Sequence, residues 1–374
     1  MKRFFFILLL FVACKQVYNP PLKNVSTNYL VAEGNIIAGN DSTFVHLTRT
    51  TPVTDSANIT QPEANATVQV EGDDGEIYNL ENTGNGYYAA PPLNINAAKN
   101  YRLHIFTGDG KEYASDFVPV KITPPIDSIS WKFDTVHGVN IYVSTHDATS
   151  KTLYYQWNFT ETWQHHTSYT SGLIYDNGSI RFRTPDEYIN NCWTVLPSPS
   201  INVSTTSQLS SDVLYETPLV NIPYGSEKIS IVYSIQVKQY AITKEAFEFW
   251  QNLKKNTEQL GTIFDPQPFA DFGNIHCITN PAEPVIGFIS ANSIQKQRIY
   301  IRNSDLPSWN YQLELCATDT IPPANQSLLE DGSHIPLTYV SISGSPVTGI
   351  LIAPAECADC RLHGGSTVKP PYMP

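Results

Sequence analysis

Apolar and polar residues alternate in short runs along most of this chain, and Gly, Pro, Asn and Asp separate the runs. A period of two places successive side chains on opposite faces, the pattern of a strand with one buried side. Ala66-Thr-Val-Gln-Val-Glu71 and Tyr101-Arg-Leu-His-Ile-Phe106 show it most clearly, with similar runs at 29–37, 43–48, 76–80, 86–90 and 112–120. Asp73-Asp74-Gly75 and Asp109-Gly110 supply hairpin turns between them. These strands predict a small β-sandwich over 28–123, immunoglobulin-like or transthyretin-like. Pro124-Pro125 then makes a stiff break. Runs at 126–133, 138–144, 153–160, 228–240, 285–291 and 297–301 predict a second β-rich domain over 124–353. The stretch 161–225, mixed in Tyr, Ser, Asn and Pro, reads as a long insertion, and the chain from 307 as loop-rich with short strands at 337–341 and 349–352.

One segment has the helical period instead. Ala246, Phe249, Trp250, Leu253 and Leu260 share a face, Thr243 can cap its start and Gly261 its end. A single amphipathic helix with such bulky residues is expected to pack on a sheet. The fold class is therefore mainly β: two sandwich-like modules, one helix, and a cysteine-bearing tail over 354–374.

Composition agrees. Tyr 21, Phe 16 and Trp 6 with only 16% charged residues describe an ordered, strand-rich chain. A net charge of −12 argues against nucleic acid and against electrostatic binding to anionic membranes. The N-terminus adds a location. Lys2 and Arg3, about ten apolar residues and a small residue lead to Cys14, a secretory signal too short to span a bilayer. It resembles a bacterial lipobox, which implies cleavage after residue 13, acylation of Cys14, and a lipidated tether over 14–27. Each buried methylene contributes about 0.8 kcal/mol, so several acyl chains hold a protein stably at a membrane.

Five further cysteines are candidate disulfide partners in an oxidising compartment: Cys192, Cys277, Cys316, Cys357 and Cys360. Cys357-x-x-Cys360 with His363 also has metal-ligand spacing if Cys316 joins, or could form a redox pair. Trp163-Gln-His165-His166 places adjacent histidines on opposite strand faces, which suits packing better than one ion. Asp73-Asp74-Gly75-Glu76 reads as a turn, not a calcium loop. No nucleophile elbow, His-Glu-x-x-His or phosphate loop occurs, so no catalytic residue, metal or cofactor is expected. Tyr169, Tyr175 and Tyr188 are the candidate binding surface, since rigid rings stack well on sugars or peptides.

The tail Cys357-x-x-Cys360-Arg361, Gly364-Gly365-Ser366 and Lys369-Pro370-Pro371-Tyr372 resembles that of the Bacteroidota lipoprotein family called domain of unknown function 4249. Leu30-Val-Ala-Glu-Gly34, Asp109-Gly-Lys-Glu-Tyr-Ala-Ser115, Asn191-Cys192-Trp193, Phe264-Asp-Pro-Gln-Pro268, Gly273-Asn-Ile-His-Cys277 and Val285-Ile-Gly-Phe-Ile-Ser-Ala291 match in the expected order. The resemblance implies an outer-membrane lipoprotein acting with a TonB-dependent receptor, and carries over no catalytic residues. The sequence departs from the family at Tyr372, where tryptophan is more usual. It departs again at Lys15-Gln16, where surface-export signals are acidic, so cell surface and periplasmic face both stay open. The expected function is a lipid-anchored accessory protein in ligand binding or nutrient uptake. An adhesive or structural envelope protein, and then an exported hydrolase, are the alternatives.

Overall fold

The computed structural model describes residues 28–51, 61–258, 272–313, 315–341 and 349–374. The signal, Cys14, the tether and the 264–268 motif lie outside them, as do Leu260 and Gly261.

The fold is mainly β. Strong alternation in the first hundred residues gives strands whose inward residues, among them Leu47, Val68, Val70, Tyr101, Leu103 and Ile105, are almost fully buried. They do not form the expected sandwich. Asn100–Phe106, Thr67–Gly72, Ile77–Gly84, Tyr87–Ala90, Thr43–Arg49, Leu30–Ile37, Ser290–Asn292 and Val118–Lys121 follow one another round a closed barrel, and Val118–Lys121 pairs back onto Asn100–Phe106. The strand that closes it, Ser290–Asn292, comes from far along the chain and runs parallel to both neighbours. Closure gives each of these eight strands a neighbour on both sides, and Glu112–Ser115 and Ile275–Cys277 branch off Asn100–Phe106. The barrel is thus not confined to 28–123; the chain leaves after Lys121 and returns over 272–292.

That return explains a motif. Gly273 and Gly287 bridge each other, and Gly287 crosses the first strand closely. A Cβ at Gly273 would lie 1.8 Å from the Gly287 carbonyl oxygen, and one at Gly287 2.1 Å from that of Ala32. Asn274 then clamps Ile289, accepting from its N–H at 2.8 Å and donating to its carbonyl at 3.0 Å.

Between the two barrel segments, Ile126–Asp134, Gly138–His146 and Val213–Ile222 form one sheet. It packs face to face on a second sheet ordered Asn191–Pro197, Tyr154–His166, Val232–Ala241, Ile294–Arg302, with Asn202–Thr205 also on Tyr154–His166. Val139, Ile141, Val143, Tyr155, Trp157, Tyr233, Ile235 and Val237 fill the space between them. Tyr155 and Trp157 are core residues, with the indole N–H donating to Gln239 at 2.9 Å. Residues 161–225 are no loose insertion: Tyr154–His166 continues to residue 166 and pairs with Asn191–Pro197.

The helix Lys244–Glu258 begins where expected, with the Thr243 hydroxyl accepting from the Ala246 N–H at 3.2 Å. Ala246, Phe247 and Phe249 are buried against Ile37, Tyr240, Ile242 and Phe288, so the helix packs at the seam of barrel and second unit. None of the described helices is long and apolar enough to cross a membrane.

The tail is more ordered than its loop-like sequence suggests. Asp319–Ile321, Gly349–Pro354 and His334–Val340 form a small sheet beside the hairpin Leu173–Asp176/Ser179–Phe182. Cys192 is bonded to Cys360 and Cys316 to Cys357, so the two cysteines of the Cys-x-x-Cys pair do not bond each other. This leaves no dithiol for redox chemistry and no thiolate set for a metal. Cys277, also a candidate disulfide partner, is instead a buried free thiol. The bridges close loops of 168 and 41 residues. By the entropy removed from the unfolded chain, these contribute about 5 and about 4 kcal/mol, with strain set aside. Gly365 lies against the first bridge: a Cβ there would sit 2.5 Å from Cys192 Cβ and 2.7 Å from His165 Nε2. Trp193 and Ser366 exchange backbone hydrogen bonds alongside.

Candidate functional site

The three candidate tyrosines do not form one surface. Tyr169 is structural: its hydroxyl donates to the Cys316 carbonyl at 2.8 Å and its ring packs with Leu337, Ala353 and Cys357. Tyr175 is half-buried on the Leu173 cluster, and only Tyr188 is open, at 43% exposure. Tyr175 and Tyr188 share a tail cleft of about 440 Å³ with Arg183, His334, Asp359 and Arg361. Its buried charges are already committed. Arg361 donates to Asp359 at 2.7 and 2.8 Å. Burial pushes the Asp359 carboxyl up, but these hydrogen bonds outweigh it and hold it below its usual range. Arg183, held below the usual arginine value by burial and by Arg361, donates to Ser171 Oγ and the Glu187 carbonyl. His165 is buried and pairs with Thr194, while His166 reaches the Thr167 carbonyl, so the two rings diverge.

A second cleft lies at the seam, and register builds it. In Tyr154–His166 and Val232–Ala241 the odd-numbered side chains, such as Trp157 and Val237, enter the core, so the even-numbered ones face away. This puts Gln156 beside Tyr240 and Asn158 beside Lys238; in the next strand, Lys296 stands opposite Lys238 and Arg298 opposite Gln236. Three cations therefore share one face of an acidic protein. Lys296 is ion-paired with Asp41. Arg298 donates to Ser234 Oγ at 2.8 Å and stacks over the Tyr372 ring at 3.9 Å. Lys238 has no hydrogen bond or ion pair among the described residues. Burial and then Lys296 hold its ammonium below the ordinary lysine value, with Asp41 opposing.

Two lobes of about 290 and 450 Å³ meet here, sharing Gly34, Asn35, Lys238 and Tyr240. Trp250 walls the larger lobe, and its ring is fixed edge-on against Phe249 at 5.2 Å between centroids. Gln156, only 5% exposed, lines the same lobe with a buried Oε1 that accepts no hydrogen bond. Burial pushes the Tyr240 hydroxyl up to about 12, so it stays a neutral donor and acceptor. None of these residues was a candidate from sequence. The usable signal was the alternation Ser234-Ile-Gln236-Val-Lys238, which sets a polar face without naming its neighbours.

The family profile described as Domain of unknown function (DUF4249) matches residues 15–298. The chain belongs to this family. The DUF4249 match contains the whole barrel and the seam cleft and ends inside Ile294–Arg302, so the disulfide-bearing tail sheet lies beyond it. No curated protein matches the chain. Among solved structures it is similar to trypsin-activated alpha-2-macroglobulin from Escherichia coli, at 9% identity and a TM-score of 0.18, covering 59% of this chain and 15% of that one. It is also similar to the BSP domain of a biofilm associated protein, at 7% identity and a TM-score of 0.14, covering 74% and 59%. The chain thus spans less than two thirds of either.

Proposed function

We propose that this DUF4249 protein is a lipid-anchored accessory protein of the outer membrane that binds ligand for a TonB-dependent receptor. Acylation of Cys14 attaches it, and the family resemblance supports the receptor as partner. The observation that carries a binding role is the seam cleft, where Lys238 stands half-buried with no ion pair or hydrogen bond among the described residues, Asp41 being paired with Lys296. Binding sites keep such groups for their ligand, because the polar atoms that orient it must be left unspent by the fold. Leu30–Ile37, the first described strand after the tether, forms one side of that cleft. A hydrolase would need carboxylates free to move protons. The acids here are Glu33 and Asp41, and Asp41 is tied to Lys296.

Crosslinking in intact cells, followed by purification of the tagged protein, should recover a TonB-dependent receptor, and Cys14→Ser should release the protein from the membrane fraction. Recovery of no receptor under several crosslinkers would refute the partner; unchanged fractionation of the variant would refute the anchor.

A further inference from the structure

Resting on the binding reading above, the seam cleft also identifies a class of ligand. We infer that it takes a carboxylated saccharide, with the carboxylate on Lys238, ring hydroxyls on Gln156 and its neighbours, and a sugar face on Trp250.

The charge comes first. Of the three cations on this face, Lys296 and Arg298 are engaged by Asp41, Ser234 and Tyr372, and Lys238 has no such partner among the described residues. A half-buried ammonium has lost part of its hydration, and an arriving carboxylate replaces it with a charge-assisted hydrogen bond.

An inorganic anion would leave the second group unsatisfied. Gln156 Oε1 is a buried acceptor and requires a donor, which a carboxylate lacks and a hydroxyl has; hydrogenphosphate carries a donor but is too small to reach this oxygen and Lys238 together. Gln156 and Lys238 lie in adjacent rows on the same face, two residues or about 7 Å apart along the strands. One ligand must therefore present a negative group and a hydroxyl a few ångströms apart, as an acidic sugar does. Asn35, Asn158 and Ser198 line the same lobe with further short polar groups.

Trp250 supplies the flat apolar surface. Its ring is immobilised by Phe249, so stacking costs little side-chain entropy. Both lobes are open and together large enough for a short saccharide. A peptide ligand would find no unpaired strand edge along the barrel wall, which is closed.

Calorimetric titration of the full lipidated protein in detergent tests this with three probes: a galacturonate trisaccharide, its neutral galactose counterpart and inorganic phosphate. The acidic trisaccharide should bind with a change in tryptophan fluorescence, and the neutral one at least about tenfold more weakly. Lys238→Met, which keeps the apolar stem, should lose about tenfold in affinity for the acidic sugar, and Lys238→Arg should recover part of it. Trp250→Ala should weaken both sugars. Equal binding of acidic and neutral sugars, unchanged affinity in Lys238→Met with an unchanged melting temperature, phosphate binding as tightly as the acidic sugar, or no binding of the acidic sugar would each overturn the inference. Receptor capture reads the partner separately: sugar binding without a receptor refutes only the partner, and a receptor without sugar binding refutes only this site.

Discussion

The seam cleft and the tail cleft are both lined by cations and anions, and they differ in which of those groups the fold has already paired. In the tail, the buried charged groups have been given partners by the fold: Arg361 holds Asp359, and Arg183 donates to Ser171 and to the Glu187 carbonyl, while the exposed Asp186 at its rim stands in solvent. At the seam, Lys238 and the Gln156 oxygen have no hydrogen bond or ion pair among the described residues. The difference separates a joint from a receptor surface. The tail cleft lies where the hairpin Leu173–Asp176/Ser179–Phe182 packs beside the tail sheet, whereas the seam cleft keeps polar capacity that a further molecule can use.

Substitutions can break or sharpen that contrast. The largest effect should come from the framework of the seam. Gly287→Val puts a side chain into the Ala32 carbonyl and should cost more than about 4 kcal/mol or prevent barrel closure, read by chemical denaturation and loss of near-ultraviolet dichroism. Next is the tail: Cys192→Ser with Cys360→Ser should cost about 2–5 kcal/mol. Hydrogen exchange should then rise across Asn191–Pro197 and the tail while the barrel stays protected; uniform loss would show that the two regions are one cooperative unit. A matched pair of cation deletions is the sharpest comparison. Arg361→Met strands the buried Asp359 carboxylate and should destabilise by about 1–3 kcal/mol, whereas Lys238→Met should change stability by less than about 0.5 kcal/mol in either direction. Equal costs would erase the distinction between satisfied and reserved charge.

The smallest effect is a pH dependence. Burial is the main reason His165 sits below its ordinary value of 6.5. The unfolded chain then binds the extra proton first, so stability should decline as pH falls through 6.5 and continue to decline towards the folded value. His165→Gln should flatten that slope between pH 7 and 5, measured as melting temperature against pH.

Local features were legible in the sequence and long-range ones were not. Alternation located the barrel strands and the Asp109-Gly110 turn, and the 3.6-residue period located the helix and its Thr243 cap. The barrel itself was not, because its closing strand, Ser290–Asn292, is three residues long and pairs with partners more than 160 positions away. Similarly, Cys-x-x-Cys suggested a local pair, but the two thiols reach Cys192 and Cys316 through folded tail structure. The site was hidden for the same reason. Lys238 is one of many lysines until the pairing of three strands and the approach of Leu30–Ile37 bury its stem and spend its neighbours.

The titration of Lys238 itself tests the central claim most directly, followed by NMR on protein carrying isotopically labelled methyl groups on its lysines. Lys296, Asp41, Tyr240 and Glu33 are the ionisable groups lining the cleft with it. The account predicts that Lys238 loses its proton at lower pH than the exposed lysines and that saturating galacturonate trisaccharide raises its midpoint while leaving theirs unmoved. A Lys238 signal that titrates with the bulk lysines and ignores the sugar would contradict it.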